Sequence, residues 1–210
     1  MAVRNPEKRL VEAAMELAAD RPWDEVGYRE IAAKAGVPLA EAWAAAPGRQ
    51  AILGHLSRMA DQAVLKEPAA LEDGDARDRV FDVLMRRFDA LRPYRAGLAS
   101  VVQSFGRNPG GALCGGAGLF QSMRAMLLAA ALPIEGGRGA VRVKIVTLVW
   151  LATLRTFLRD ESEDLSPTMA TLDSQLRRAE RFAGWLSRAT GPRRRDRDAD
   201  EGPLPAEEPA

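Results

Sequence analysis

The fold of this chain is decided by residues 28–49, which read YREIAAKAGVPLAEAWAAAPGR. Ile31 and Ala35 have the spacing of one helical face, and Gly36 follows where a helix end favours a residue that adopts positive φ. Pro38 suits the first turn of a second helix. The stretch therefore predicts two short helices joined by a tight turn. An ordinary corner between two helices and a helix-turn-helix would both have this pattern.

Amphipathic helices are predicted on both sides of this stretch. Asn5 and Pro6 supply an N-cap and a first-turn proline, and an apolar stripe at helical spacing continues to Ala18. A second stripe extends from Ile52 to about Lys66. Four helices in this order resemble the N-terminal domain of TetR-type transcriptional regulators. The residues that carry the resemblance are Ala13, Leu17, Arg29 to Ala32, Ala35 to Val37, Pro47, Arg49, Ile52 and Leu53.

The resemblance implies an all-α, TetR-like protein with three regions. Residues 1–66 would form a helix-turn-helix domain of the DNA-binding type, which contains a three-helix module. An acidic break between Pro68 and Gly74 lies at the start of a larger region, 67–190, which would form a helical domain for ligand binding and dimerisation. Residues 191–210 have no apolar period and mixed charges, which predicts a disordered tail. No sustained alternating pattern of the kind that marks a strand is present.

Composition restricts the class of protein further. The single Cys114 excludes an internal disulfide, and the N-terminus has no hydrophobic export segment. The longest apolar, uncharged run, 145–154, is too short to cross a bilayer, so a cytoplasmic location is expected. The single His55 has no nucleophile or metal-ligating partner nearby in sequence, and no phosphate-binding loop occurs. These features predict a protein that is not an enzyme and has no cofactor, catalytic residue or metal site.

The second helix of the motif has unusual chemistry for a DNA-binding element. Helix-turn-helix proteins bind phosphates and bases through cationic, amide and hydroxyl side chains, which are all missing from 38–46. Residues 1–66 contain nine Lys/Arg and nine Asp/Glu, so the domain has no net formal charge. The remaining candidate DNA-binding residues are Arg29, Lys34, Glu41, Trp43 and Arg49. This set predicts weak DNA binding with little sequence discrimination.

The resemblance assigns roles to several of these positions, and the chain departs from the family at some of them. Pro38 replaces a hydroxyl residue at the helix start, and Trp43 replaces a Tyr but keeps an N–H donor for a phosphate. Ala46 replaces a Phe, which thins the packing beneath the helix. Arg49 replaces a Lys and keeps the positive charge. Glu41 would be repelled by phosphate, although it could accept from a cytosine amino group.

The middle helices contain a group of large apolar residues that could line a cavity for a hydrophobic small molecule or a lipid. The candidate ligand-binding residues are Phe81, Leu84, Phe88, Phe105, Leu119, Met123, Leu127 and Trp150. Simple core packing would have the same pattern. Five glycines between Gly110 and Gly118 are costly inside a helix, which is consistent with an irregular pocket entrance.

The last two helices are predicted to form a homodimer interface. The helix predicted at about 140–159 is apolar on more than one side, and the last helix, which begins at Ser166, has a regular apolar seam. Two such helices from each subunit would form a four-helix interface. The expected interface residues are Trp150, Phe157, Leu172, Leu176 and Ala179. Packing within one chain would produce the same seam.

The segment 150–180 is also similar to the lipid-binding TetR relatives that assist ubiquinone biosynthesis. The shared residues are Trp150, Asp160, Ser162, Asp164, Thr168, Leu172 and Asp173. That resemblance implies an alternative function, a lipid-binding accessory protein whose N-terminal domain does not bind DNA. Asp-x-Ser-x-Asp before a helix also makes a plain cap. A ligand-responsive regulator that binds DNA as a homodimer and a lipid-binding accessory protein therefore both remain open.

Overall fold

The computed structural model describes residues 5–69, 74–107 and 109–189, except for the side chains of 107, 109–117 and 182–189. In these residues the regular secondary structure consists of α-helices and short 3-10 helices, with no β-strand. The helices are α1 (Pro6–Asp20), α2 (Tyr28–Lys34), α3 (Leu39–Ala45), α4 (Arg49–Leu65), α5 (Ala76–Leu91), α6 (Arg95–Arg107), α7 (Pro109–Ala129), α8 (Gly136–Phe157) and α9 (Ser166–Ala189). The all-α prediction is confirmed. None of the described helices is both long enough and apolar enough to span a membrane.

The predicted helix-turn-helix forms between α2 and α3. The N–H groups of Gly36 and Val37 donate to the carbonyls of Ala33 and Ala32, both at 3.0 Å, and close the end of α2. Gly36 has a φ of 61°, the left-handed conformation that a glycine adopts without a steric penalty. Gly48 has a φ of 91° just before α4. These two glycines set the directions in which α3 leaves α2 and α4 leaves α3.

The N-terminal helices pack closely against the rest of the chain. Helix α1 packs against α6, and α4 packs against α7. A Cβ placed on Gly97 of α6 would lie 2.3 Å from the Met15 carbonyl oxygen, so this contact requires a glycine. The Ser100 hydroxyl accepts from the Trp23 N–H at 2.9 Å and donates to the Arg21 carbonyl at 3.2 Å. Helix α6 is thereby joined to the loop that follows α1.

Helix α8 begins at Gly136, about one turn before the start predicted at about residue 140, so the predicted start is wrong. Gly139 lies inside the first turn of α8 and is buried. A Cβ at this position would lie 2.2 Å from the Ile134 carbonyl carbon. The glycine therefore allows the preceding loop to cross directly over the first helical turn. The sequence pattern suggests a loop because glycine usually disfavours a helix.

The residues predicted for the dimer interface lie on the sides of α8 and α9 that face the core of the same chain. Trp150, Phe157, Leu172 and Leu176 are at most 6% exposed within a single chain, because α9 packs against α8 and α5. The prediction that these four side chains form the intersubunit surface is therefore wrong, and the seam of α9 serves the protomer's own core. Ala179 is partly buried against the same core. Helix α8 does have a second apolar side, which exposes Val141, Leu148 and Leu151.

Candidate nucleic-acid interface and buried polar cluster

Helix α3 has one side in the core and one side exposed. Ala42, within α3, and Ala46, the first residue after it, are completely buried on the core side. On the opposite side, the Trp43 side chain is 59% exposed, although its indole makes an edge contact with the Tyr28 ring at 5.7 Å. The Tyr28 hydroxyl donates to the Ala46 carbonyl at 2.7 Å. Burial raises the pKa of the Tyr28 hydroxyl above its ordinary value.

His55 makes a second link to the end of α3. Its Nε2 lies 3.0 Å from the Ala45 carbonyl oxygen, so the ring nitrogen donates to that oxygen. The only histidine of the chain therefore helps to fix the C-terminal end of α3 against α4. Together with the bond from Tyr28, this contact holds the C-terminal end of α3, where the small Ala46 side chain is buried.

Arg49 stabilises the helix-turn-helix from within. Its Nη1 donates to the carbonyls of Trp23 at 2.8 Å and Val26 at 2.9 Å. The guanidinium also lies 5.2 Å from the centre of the Trp23 ring, within the range of a cation–π contact. Because Nη1 is bonded within the chain, only the other guanidinium nitrogens of Arg49 could make the predicted phosphate contact. The side chain's observed role is to tie the start of α4 to the loop before α2.

The other candidate DNA-binding residues differ in their availability. The Lys34 ammonium lies 3.0 Å from a Glu16 carboxylate oxygen, so its charge is already paired. Glu41 is half-buried and has an interaction within the chain. Arg29 is exposed, and it makes no ion pair or hydrogen bond with any residue that the structure describes. Of the three predicted cations, Arg29 is the most available to a phosphate.

Arg9 is a cation at this surface that the sequence does not identify. It is exposed on α1, and its Nη2 would lie only 2.8 Å from a Cβ placed on Gly36. The guanidinium therefore lies over the turn between α2 and α3, although Arg9 and Gly36 are 27 positions apart in the chain. No local pattern in the sequence reports this contact, since it depends on how α1 packs against α2.

The predicted ligand-binding residues divide into two groups. Leu84, Phe88, Met123, Leu127 and Trp150 are at most 2% exposed, whereas Phe81, Phe105 and Leu119 are partly buried. The structure brings Phe88 and Trp150 together as a stacked pair with centroids 4.1 Å apart. Five of the eight candidates are thus tightly packed in the core. The predicted entrance around Cys114 is within helical backbone, and its side chains lie outside those described.

Within the same core lies a polar cluster, formed by Ser57, Asp61, Arg87 and Ser122, which sequence analysis does not predict. Arg87 is 3% exposed, and its Nε donates to an Asp61 carboxylate oxygen at 2.8 Å. Its Nη2 donates to the Ser57 hydroxyl at 2.9 Å, and Ser122 donates to the other Asp61 oxygen at 2.6 Å. The cluster joins α4, α5 and α7.

The charge of Arg87 is paired with that of Asp61 within this cluster and is further stabilised by a contact with an aromatic ring. Burial lowers the pKa of Arg87, while the charge and hydrogen bond of Asp61 act in the opposite direction. The guanidinium also lies 4.4 Å from the centre of the Trp150 ring. One signal in the sequence points to this burial, because Arg87 lies three residues after Leu84 and four before Leu91 on the apolar face of α5.

Asp160 and its neighbours form a capping array between α8 and α9. Asp160 accepts from the N–H and hydroxyl of Ser162, at 3.1 and 2.5 Å, and from those of Thr168, at 3.0 and 2.5 Å. Burial alone would raise its pKa, but these hydrogen bonds hold the pKa below its ordinary value. Asp164 accepts from the Ser166 N–H at 3.1 Å. These residues, which carry the second resemblance, therefore stabilise the start of α9.

By sequence, this chain matches no family model and none of the curated proteins. It is similar in structure to a TetR transcriptional regulator from Nitrosomonas europaea ATCC 19718, with 24% identity and a TM-score of 0.67. That match covers 83% of this chain and 97% of the other. A TetR transcriptional regulator from Rhodococcus sp. RHA1 matches with 20% identity, a TM-score of 0.61 and coverage of 84% and 96%.

A third similar structure is a TetR-family transcriptional regulator from Streptomyces coelicolor. It has 17% identity and a TM-score of 0.53, and the match covers 87% of this chain and 84% of the other. All three matches extend over most of both chains. They establish that this chain has the fold of the TetR-type regulators, as the resemblance of residues 28–49 and their flanking helices predicts.

Proposed function

We propose that this protein is a ligand-responsive transcriptional regulator that binds DNA as a homodimer. The observation that carries the proposal is the helix-turn-helix itself, with an exposed side of α3, in a fold that is similar to the structures of three transcriptional regulators. A protein that only bound a ligand in its core would not need an α3 that is both rigidly held and exposed. No catalytic chemistry is part of the proposal.

The DNA contacts would be few. Arg29 would contact a phosphate directly, and Arg9 beside Gly36 would add a second positive charge. Lys34 would have to exchange Glu16 for a phosphate, and Arg49 would keep two carbonyl partners. Since each phosphate contact contributes to affinity mainly by releasing counterions, binding is expected to weaken steeply with salt.

The dimer would form through the outer side of α8. Val141, Leu148 and Leu151 follow one another at intervals of seven and three residues, which puts them along one side of the helix. Leu148 is 68% exposed, an unusual environment for a leucine in the middle of a 22-residue helix. A two-fold axis beside α8 would bury this stripe against its own copy, with α9 alongside.

The ligand would be a hydrophobic small molecule or a lipid that enters the core near Phe88 and Trp150. This core is close-packed, so a ligand would have to displace side chains or use space beside the partly buried Phe81, Phe105 and Leu119. The polar cluster around Arg87 would bind an acidic or hydrogen-bonding group at one end of such a ligand. A ligand that binds the folded state should raise the melting temperature with concentration.

The alternative, a lipid-binding accessory protein that no longer binds DNA, has one observation in its favour. The outer side of α3 is apolar, and both Lys34 and Arg49 have partners within the chain. The resemblance that suggests the alternative is accounted for differently, because Asp160, Ser162 and Thr168 serve as a helix cap. The regulator is therefore the better-supported function.

The test is a DNA-binding titration of the full chain and of Arg29→Ala at several salt concentrations. The DNA is the sequence most enriched when purified protein selects from random duplexes. Loss of one phosphate contact per subunit should weaken binding and reduce the salt slope by about one unit per protomer. Lys66→Ala is the control, since Lys66 lies past the far end of α4, about 25 Å from Arg49 at 1.5 Å per residue. Equal slopes for the wild type and Arg29→Ala would refute the assignment of Arg29.

A further inference from the structure

The outer side of α3 is a rigid apolar surface, which we call the α3 face and define as Leu39, Ala40, Trp43 and Ala44. All four side chains are exposed, and Leu39 and Trp43 are 43% and 59% exposed. Along this seven-residue helix, no Arg, Lys, Asn, Gln, Ser or Thr occurs. The α3 face therefore has no side chain that could donate a pair of hydrogen bonds to a base.

The α3 face is held in a fixed orientation. The Trp43 indole lies at 85° to the Tyr28 ring, and the Tyr28 hydroxyl is bonded to the Ala46 carbonyl at 2.7 Å. The next carbonyl back, of Ala45, contacts His55 of α4 at 3.0 Å. A surface that is both apolar and pre-ordered loses little conformational entropy when it binds a rigid partner.

We propose that the α3 face recognises the 5-methyl groups of thymines in the major groove of DNA. This inference rests on the proposed regulator function and specifies its DNA target. Each base pair presents a pattern of donors and acceptors in the major groove, and the thymine methyl is the one apolar group there. The Leu39 side chain and the ring faces of Trp43 are complementary to a methyl group, and the single indole N–H of Trp43 is the one hydrogen-bond donor among the side chains of the α3 face. The exposed Arg29 would contribute the charge that an apolar face does not supply.

The inference predicts the kind of sequence that the protein prefers. Thymine methyls distinguish T·A from A·T pairs, because the methyl group lies on one side of the groove only. The preferred sites should therefore contain thymines at set positions rather than guanines contacted by arginine. Burial of one methyl-sized group corresponds to a change in Kd of about fourfold. Two contacted thymines in each half-site would give about 16-fold per half-site.

The experiment compares duplexes that differ only in these methyl groups. The selected DNA is prepared with thymidine, or with deoxyuridine at one position at a time, since deoxyuridine pairs like thymidine but has no 5-methyl group. We expect Kd to rise about fourfold at each contacted position. Deoxyuridine outside the protected region is the control and should leave Kd unchanged.

Variants of the protein provide the second arm. Leu39→Ala and Trp43→Ala remove exposed side chains, so the core should stay folded, which a melting temperature checks. Each variant should bind the thymidine duplex more weakly and should lose the discrimination against deoxyuridine at one position. A general effect of deoxyuridine on duplex shape would persist in both variants, and that result would overturn the inference.

The outcomes separate the inference from the function on which it rests. If the protein binds a defined sequence equally well with thymidine and deoxyuridine, methyl recognition is wrong and the regulator function stands. If no sequence is enriched at all, the regulator function fails and methyl recognition fails with it. Binding of phosphatidylglycerol vesicles that depends on Trp43, without sequence-dependent DNA binding, would overturn the inference in favour of a membrane partner for the α3 face.

Discussion

Loss of the ion pair between Asp61 and Arg87 should destabilise the protein strongly. In Arg87→Met, the Asp61 carboxylate would keep the Ser122 hydroxyl but lose its cation, in a site where its side chain is only 13% exposed. Breaking a buried pair from one side costs about 3–5 kcal/mol, because an uncompensated charge stays behind. For a chain of this length, that is a fall in melting temperature of roughly 6–20 °C.

Replacing both partners should restore most of this loss. In the double variant Asp61→Leu and Arg87→Met, no charge remains uncompensated, and apolar pairs of similar volume are often as stable as the ion pair. Urea denaturation at fixed protein concentration gives the free energies of unfolding for a double-mutant cycle, and the coupling energy should be about 2–3 kcal/mol. Lys8→Met, which breaks the exposed pair with Glu12, is the control and should cost about 0.5 kcal/mol or less. A loss below about 1 kcal/mol for Arg87→Met, or a double variant as unstable as the sum of the two, would refute the reasoning.

Three further predictions follow from the fold. Gly97→Ala places a Cβ 2.3 Å from the Met15 carbonyl oxygen and should lower the free energy of unfolding by about 1–3 kcal/mol. Gly106→Ala on the same helix meets open space and should be neutral or stabilising by up to about 1 kcal/mol, and similar losses in the two variants by urea denaturation would contradict the contact. Because hydrogen bonds depress the Asp160 pKa, its stabilisation should be complete above about pH 5 and should disappear as the pH falls through the folded-state pKa. Asp160→Asn should therefore cost about 1–3 kcal/mol at neutral pH and progressively less in acid, and a constant difference in chemical-denaturation experiments would be inconsistent with this assignment. Leu148→Glu should convert the dimer to a monomer in sedimentation velocity, whereas Leu128→Glu, also at an exposed leucine, should not; a dimeric Leu148→Glu would exclude the outer side of α8 as the interface.

Local patterns in the sequence were sufficient for most of the helices and for the turn between α2 and α3. Asn5 caps α1 through a bond from the Lys8 N–H, and Gly36 has the positive φ that its position predicts. Both signals act within four residues, so the sequence reports them directly. The sequence does not predict the start of α8, because Gly139 lies in the helix at a point where the Ile134 backbone leaves no room for a side chain. Helix propensity alone does not reveal such a contact.

Contacts between distant helices account for what the sequence did not reveal at the candidate site. The proximity of Arg9 to the turn at Gly36, and the position of Ser122 beside Asp61, both depend on helix packing over long separations. An apolar stripe in the sequence identifies which side of a helix is buried, but not which helix packs against that side. For that reason Leu172 and Leu176 were expected at a dimer interface and instead pack inside the protomer.

The most direct test of the regulator function is selection of DNA by the purified full chain from a random duplex library, at about 100 mM salt. A dimeric regulator should enrich a sequence with two-fold symmetry, whose half-sites are centred one helical turn, about 10 base pairs, or a multiple of it apart. The wild-type protein should protect both half-sites from cleavage, and Arg29→Ala should protect them more weakly. Absence of any enriched sequence, from protein that is folded and dimeric, would contradict the claim that this helix-turn-helix recognises DNA.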